Sequence, residues 1–488
     1  MLLSRASRRN FWVAGQASRS SGPIEHVSLH ARMSPETSSY GVHRLLALAW
    51  PIVVSRATQV VIGFSDAIMV APLGEESLAA VTTGSINAFA WFVLPMGTVS
   101  IVSSFSSQLF GQNDLSGARR YAHYGLLTAL AFGLISVVSI PLLPMLLAAF
   151  EYDAEVRSLI TTYLQIRLWA AAPFVAMEGL GNYYGGIGNT RLPMKANVLA
   201  MVLNVALNWV LIYGHFGAPA LGVAGAAWAS VISTAVAAAA ILVAFLGGVD
   251  RTVIAAKRSS GREWLRMLRF GLPNGINWFV EFAAFSFFVN VVVVDLGTTT
   301  LAAMMAVIQL NSIAFMPAFG LGSAGAILVG QAIGAARKDD VAPILRRTFA
   351  VAAIWMSIVG ACYAIAPRLL LAPFNSGNPT FLDVGAVMLV LSSGWQIFDA
   401  AGITISEALR AAGDTAFCMW ARVSIAWIVF VPMSWLAVKM LGGGAVAAIG
   451  SLILYLFVLS IVLFLRFRSG AWRRIILTEP PLLNATTS

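Results

Sequence analysis

Charge is the scarcest resource in this sequence. Of its 488 residues only 11% are Asp, Glu, Lys or Arg, while 59% are hydrophobic. A soluble domain carries about a quarter charged residues, so most of this molecule's surface is not built to face water. Cysteine is almost missing. Cys362 and Cys418 both fall inside apolar stretches and read as packing residues rather than a disulfide. The five histidines (His26, His30, His43, His123, His215) form no H-E-x-x-H or comparable metal-ligand spacing, and no Ser–His–acid set accompanies them. No G-x-x-x-x-G-K-S/T loop is present, which argues against ATP as a direct energy source. An enzyme is therefore the weaker class, and no cofactor is expected.

What is plentiful is apolar sequence in runs of about 20 residues, the length that crosses a bilayer. Twelve helices are predicted at 44–70, 84–110, 121–148, 160–187, 193–213, 221–246, 267–294, 301–331, 344–371, 382–409, 415–438 and 445–467. The net charge of +10 would suggest nucleic acid in a soluble protein. Here the basic residues sit in short loops instead. Arg119 and Arg120, Arg191 and Lys195, the cluster from Arg251 to Arg269, Arg337 to Arg347, Arg410, and Arg466 to Arg474 follow every even-numbered helix. The opposite loops carry Glu75, Glu76, Glu151, Asp153 and Glu155. By the positive-inside bias both termini are expected in the cytoplasm of a bacterial inner membrane. The alternation also checks the helix count, because a miscounted helix would break it.

The expected divisions are a tail over 1–43, an N-lobe over 44–246, a basic linker over 247–266, a C-lobe over 267–467 and a cytoplasmic tail over 468–488. In the first tail Arg5, Arg8, Arg9, Arg19 and Arg32 stand among serines. Its composition resembles a transit peptide, but a disordered tail, or true initiation at Met33, is the plainer reading.

The two lobes repeat one another. Shifted by about 223 residues, Pro51 falls on Pro273, Leu73-Gly74 on Leu296-Gly297, Pro95 on Pro317, Gln108-x-x-Gly111 on Gln331-x-x-Gly334, and Gly188-Asn189-Thr190 on Gly413-Asp414-Thr415 with a small drift. Six helices per half is an even number, so both halves enter from the same side and a pseudo-two-fold axis along the membrane normal relates them. The expected fold is all-α: two six-helix lobes with a cleft between them. Pro51, Pro95, Pro173, Pro273, Pro317 and Pro432 interrupt spans and favour kinks.

Ionisable residues within spans are costly and tend to face a cavity or a partner. Asp66, Glu178, Glu281, Asp399 and Glu407 are in this position, with Arg56, Arg167 and Arg422 available to neutralise an acid. Glu281 and Asp399 both lie roughly 17–21 Å from the cytoplasmic ends of their helices at about 1.5 Å per residue. Such a pair suits a shared proton or a hard cation such as Na+. Depth alone leaves open that they are two unrelated acids, each with its own amide or Arg partner. Asn204 and Asn208 share a helix face and are candidate neighbours of Asp66, either as a cation site or as interhelical hydrogen-bond glue. Glu178, Trp395 and Glu407 are candidate cleft residues for cationic substrates. Trp91, Trp169, Trp228, Trp278, Tyr183 and Tyr184 also lie in spans and suit cation–π contacts or packing.

Taken in order, several of these features resemble the multidrug and toxic compound extrusion (MATE) transporters, nearest their NorM-like branch, over residues 44–465. The matching features are Pro51 with Asp66-Ala67-Ile68-Met69, the two Gln-x-x-Gly motifs, Asn204-x-x-x-Asn208, the stretch from Tyr213-Gly214 to Gly225-Ala226-Ala227, Phe279-Val280-Glu281 and Trp395-Gln396-x-x-Asp399. The resemblance implies a monomeric exporter of small organic cations in exchange for Na+ or H+. It implies that Asp66 with Asn204 forms an N-lobe cation site, and that Glu281 and Asp399 are the C-lobe acids. Some members carry Asp where Asn208 stands. The other readings are a lipid-linked oligosaccharide flippase of the wider superfamily and an intramembrane enzyme.

Overall fold

A computed structural model of the chain describes residues 40–248, 260–375 and 378–478. The described residues are helical and contain no strand. Ten helices are long and apolar enough to cross a membrane, and a pair bent by 50° makes an eleventh. The N-lobe comprises α1 (Val42–Leu73), α2 (Glu75–Gly111), α3 (Leu115–Leu147), α4 (154–186), α5 (Arg191–Tyr213) and α6 (Val223–Gly247). The C-lobe comprises α7 (Gly261–Leu296), α8 (Thr298–Gly334), α9 (Lys338–Ile365), α10 (379–411), α11 (Thr415–Met440) and α12 (Gly444–Arg468). With α4, the twelve predicted helices are all present. The polar residues Glu155, Arg157, Arg167 and Glu178 make α4 the least apolar of them.

The boundaries move in places, for local reasons. Helix α2 starts at Glu75, well before the predicted residue 84, because Glu75 and Glu76 occupy its first turn, where carboxylates are favoured by the helix dipole. Helix α7 starts at Gly261 with Ser260 accepting from the Arg262 N–H as its cap, so the last residues of the expected 247–266 linker are helical. Helix α9 ends at Ile365, and Pro367 opens a separate turn over Pro367–Leu371. The linker residues 249–259, the first-tail residues 1–39 and the end of the second tail, 479–488, lie outside the described residues.

Internal symmetry is visible in how the lobes meet. Helix α1 packs on α8, α2 packs on α7, and α2 packs on α8, which are the pairings a two-fold exchange of the lobes maps onto each other. The fourth helix of each lobe is broken at an equivalent place, α4 at Leu168–Ala170 and α10 at Gly394-Trp395. Pro51, Pro95, Pro273 and Pro317 lie inside helices, while Pro432 sits between two π-helical turns of α11.

The described chain begins and ends on the same side, which also holds the basic loops and is here called the basic end. There the two Gln-x-x-Gly motifs cross between lobes. Gln108 on α2 donates to the Ala411 carbonyl of α10 at 2.8 Å, and its counterpart Gln331 on α8 donates to the Gly186 carbonyl of α4 at 3.1 Å. A Cβ at Gly111 would lie 2.2 Å from the Gln331 carbonyl oxygen, and one at Gly334 would lie 1.9 Å from that of Gln108. Only glycine lets these backbones approach so closely.

Candidate cation sites and interlobe cleft

The α1–α5 contact carries Asp66 against the asparagine face of α5. Asp66 is 3% exposed, and Asn204 and Asn208 are fully buried. The Asn208 amide donates to Asp66 Oδ1 at 2.5 Å and reaches Asn204 Oδ1 at 3.3 Å. Ser230 on α6 donates to Asp66 Oδ2 at 3.3 Å and accepts from Asn204 at 3.1 Å. Asn208 Oδ1 is buried with no hydrogen-bond partner among the described residues. The Arg167 guanidinium acts on Asp66 electrostatically without forming an ion pair at contact distance, and Tyr163 is held by Ser85 at 3.0 Å nearby. The result is one carboxylate held by an amide N–H and a hydroxyl, with the unpartnered Asn208 oxygen on the same amide; oxygens of this kind are the ligands a hard cation prefers. Ser230, embedded in an alanine-rich helix, gave no sequence signal.

In the C-lobe, Glu281 on α7 and Asp399 on α10 do share a neighbourhood, together with Arg422 on α11 and Tyr455 on α12. They are not equivalent. Glu281 is held by both oxygens against Arg422 Nη1, at 2.6 and 2.8 Å. Asp399 has no side-chain hydrogen bond among the described residues, and it sits in the first turn of Gln396–Ala411, directly after the break in α10. The positive end of the helix dipole there favours a negative charge. Two carboxylates beside one guanidinium leave one negative charge. Of the three arginines named from sequence, Arg422 is the one that pairs with this cluster.

A cleft between the lobes is lined by Arg56, Gln59, Glu178, Asn182, Trp278, Phe319 and Arg410 among others, and encloses about 730 Å³ of non-atom space, open solvent at its mouth included. Arg56 pairs with Glu178 at 3.3 Å, and Gln59 donates to the same carboxylate. Glu407 is buried and paired with Arg410, three residues on. Arg410 also donates to the Ser100 carbonyl across the lobe interface at 3.2 Å. Glu178 therefore lines the cleft as expected, and Glu407 stands behind its wall. Trp395 does not: it is 5% exposed in the C-lobe core, because it sits at the bend of α10 and turns inward. Trp278 and Phe319 are the aromatic rings on the cleft instead, with Arg56 5.6 Å from the Phe319 centroid. Among the described residues no group of three His, Cys, Asp or Glu side chains is arranged to hold a metal ion.

The MatE family model matches the chain twice, over residues 51–210 and 279–436, once in each lobe. The chain belongs to the MatE family. The duplicated match is the internal repeat seen by a different route. The chain is 28% identical over 449 residues to a probable multidrug resistance protein NorM of Thermotoga maritima, covering 89% of this chain and 94% of that one. It is also 28% identical to the multidrug resistance protein PmpM of Pseudomonas aeruginosa, covering 80% and 83%. Among solved structures, an outward-facing multidrug resistance MATE transporter has the same fold, with a TM-score of 0.80 at 22% identity, covering 88% of this chain and 96% of that one. The protein is thus a polytopic membrane transporter of the MATE fold.

Proposed function

We propose that this transporter exports small organic cations and drugs across a bacterial inner membrane, in exchange for Na+ or H+, as a monomer with its basic end in the cytoplasm. The observation that carries the reading is the Asp66 nest. A carboxylate is held away from water by neutral donors, with the Asn208 carbonyl oxygen beside it still unpartnered. Burying a charge with no ion-pair partner in contact is costly, so a site of this kind is stabilised by binding the coupling cation. The C-lobe cluster gives a second position of net charge −1, at which Asp399 is the exchangeable acid and Arg422 already neutralises Glu281. Both sites lie within lobes that touch at the basic end, through Gln108, Gln331 and Arg410. With that end closed, the cleft opens away from the cytoplasm. Alternating access then consists of parting these contacts while the far ends close. The multidrug names of the NorM and PmpM relatives support the substrate class. The cleft walls carry balanced Arg–Glu pairs rather than a strongly basic lining, which does not favour a lipid-linked oligosaccharide as the cargo.

Transport in proteoliposomes tests the reading. Ethidium movement by the wild type should follow an imposed Na+ or H+ gradient. Asp66→Asn should remove most of that gradient dependence while the protein still inserts and purifies as a monodisperse species. Gradient-independent movement in the wild type, or full gradient dependence in Asp66→Asn, would overturn it.

A further inference from the structure

On the outer surface of the lobe seam, between α1 and α9, runs a groove with about 1380 Å³ of non-atom space, open surroundings included. Its floor is Pro317 and Leu321 of α8, and its walls include Leu46 and Trp50 of α1 and Ile354 and Trp355 of α9. These walls face outward: Trp50 is 46% and Ile354 63% exposed. The groove lies along spans, so its surroundings are lipid tails rather than water. Towards the basic end its lining becomes basic. His43 and Arg191 border it, the Arg191 guanidinium stands 6.0 Å from the Trp50 ring centroid, and no acidic side chain among the described residues lines it. Arg191 makes no ion pair among the described residues.

At the pseudo-equivalent place, between α7 and α3, side chains bridge the seam at the basic end. Trp264 donates to Thr128 at 3.0 Å, and Tyr124 donates to Glu263 at 2.7 Å, which also pairs with Arg120. On the α1–α9 side Arg347 donates to the Tyr40 carbonyl at 3.0 Å in the equivalent position, and beyond that contact the seam is an apolar trough with a basic rim.

We propose that this groove is a binding site for one anionic glycerophospholipid, its acyl chain along Trp50, Leu321 and Ile354 and its phosphate between Arg191 and His43. The chemistry matches at both ends. A long apolar chain fills a concave apolar surface, and a phosphate meets a guanidinium that no carboxylate among the described residues neutralises, beside an aromatic ring. The lipid would bridge the two lobes, because α1 belongs to one and α9 to the other. The proposal concerns binding alone and stands whether or not the coupling mechanism above is right.

Two measurements on the full-length protein test it. In the first, a benzophenone side chain is placed at Ala47, on the groove wall, and irradiated in bilayers of mixed phosphatidylglycerol and phosphatidylcholine. The expected product is an adduct of phosphatidylglycerol mass, enriched several-fold over its share of the bilayer. An adduct to a peptide of this chain or of a second copy, or adducts in proportion to bilayer composition, would overturn the proposal. In the second, the same experiment is run with Arg191→Gln, which should lower the phosphatidylglycerol enrichment about fivefold, the effect of one basic group near a membrane surface. Unchanged enrichment would overturn the assigned headgroup contact. So would suppression by millimolar inorganic phosphate to the same extent, since that would mark a free-phosphate site.

Discussion

The two lobes solve the same problem with different residues. In the N-lobe, Asn208 and Ser230 donate to the Asp66 carboxylate, and Asn204 links the two. In the C-lobe, Arg422 holds Glu281, and Asp399 is left beside them. This arrangement makes a sharp prediction. Glu281→Gln releases Arg422, whose guanidinium then turns to Asp399 and replaces the coupling ion there. Gradient-driven transport should fall by about tenfold in the single variant and recover in part when Arg422→Gln is added. A double variant no better than the single one would mean that Glu281 binds the ion itself. The Glu407–Arg410 pair tests a different property. Both side chains are buried, and removing one member of such a pair typically costs about 3–5 kcal/mol, whereas replacing both with apolar groups is often neutral. Arg410→Ala should therefore lower the detergent-solubilised melting temperature much more than the double variant Glu407→Leu/Arg410→Met does, as read by a thermal unfolding scan.

At the scale of elements, breaks and close approaches do the positioning. The bend in α10 places Asp399 at the start of a helical segment inside the membrane, and the matching break in α4 precedes Glu178. The glycines of α2 and α8 let two helices from different lobes meet backbone to backbone at the basic end. A methyl group at Gly334 would overlap the Gln108 carbonyl, and overpacking of this kind costs about 1–3 kcal/mol. Gly334→Ala should therefore weaken the closed basic end specifically. Cysteines introduced near residue 108 should react faster with a water-soluble maleimide in that background, and an unchanged rate would show that the contact is not what closes this end. The segment after α12 adds to the same closure. Leu477 is buried in an N-lobe cluster, and Thr478 accepts from Gln112 at 2.8 Å. Arg473 pairs with Asp339 at 3.0 Å on the C-lobe side. Within the expected tail over 468–488, the residues up to Thr478 form a strap across both lobes.

For the whole molecule, two homologous bundles joined mainly at one end imply motion about the seam. Spin labels at the pseudo-equivalent positions Leu73 and Leu296 report the separation of the far ends. That distance should shorten when Gln108→Ala and Gln331→Ala remove the reciprocal cross-lobe hydrogen bonds, because the lobes are then free to part at the basic end. No change in the distance distribution would argue that these contacts are not part of a two-state element.

Much of this architecture is written in the chain itself. Hydropathy sets the number and length of the helices, since a bilayer tolerates little else. The alternation of basic loops sets which ends belong together, and Pro, Gly and Gln at a fixed offset reveal the duplication. The sequence also marks the acids that matter, because a carboxylate within an apolar run is expensive enough to be conspicuous. It does not give azimuth. A residue's depth follows from counting along its helix, but which neighbour it faces depends on how twelve helices are rotated and kinked against one another. Only the tertiary structure could therefore decide that Arg422 takes Glu281 and leaves Asp399, that Trp395 turns into the core while Trp278 lines the cleft, and that one seam between the lobes is bridged by Trp264 and Thr128 while its twin is bridged by Arg347 and the Tyr40 carbonyl.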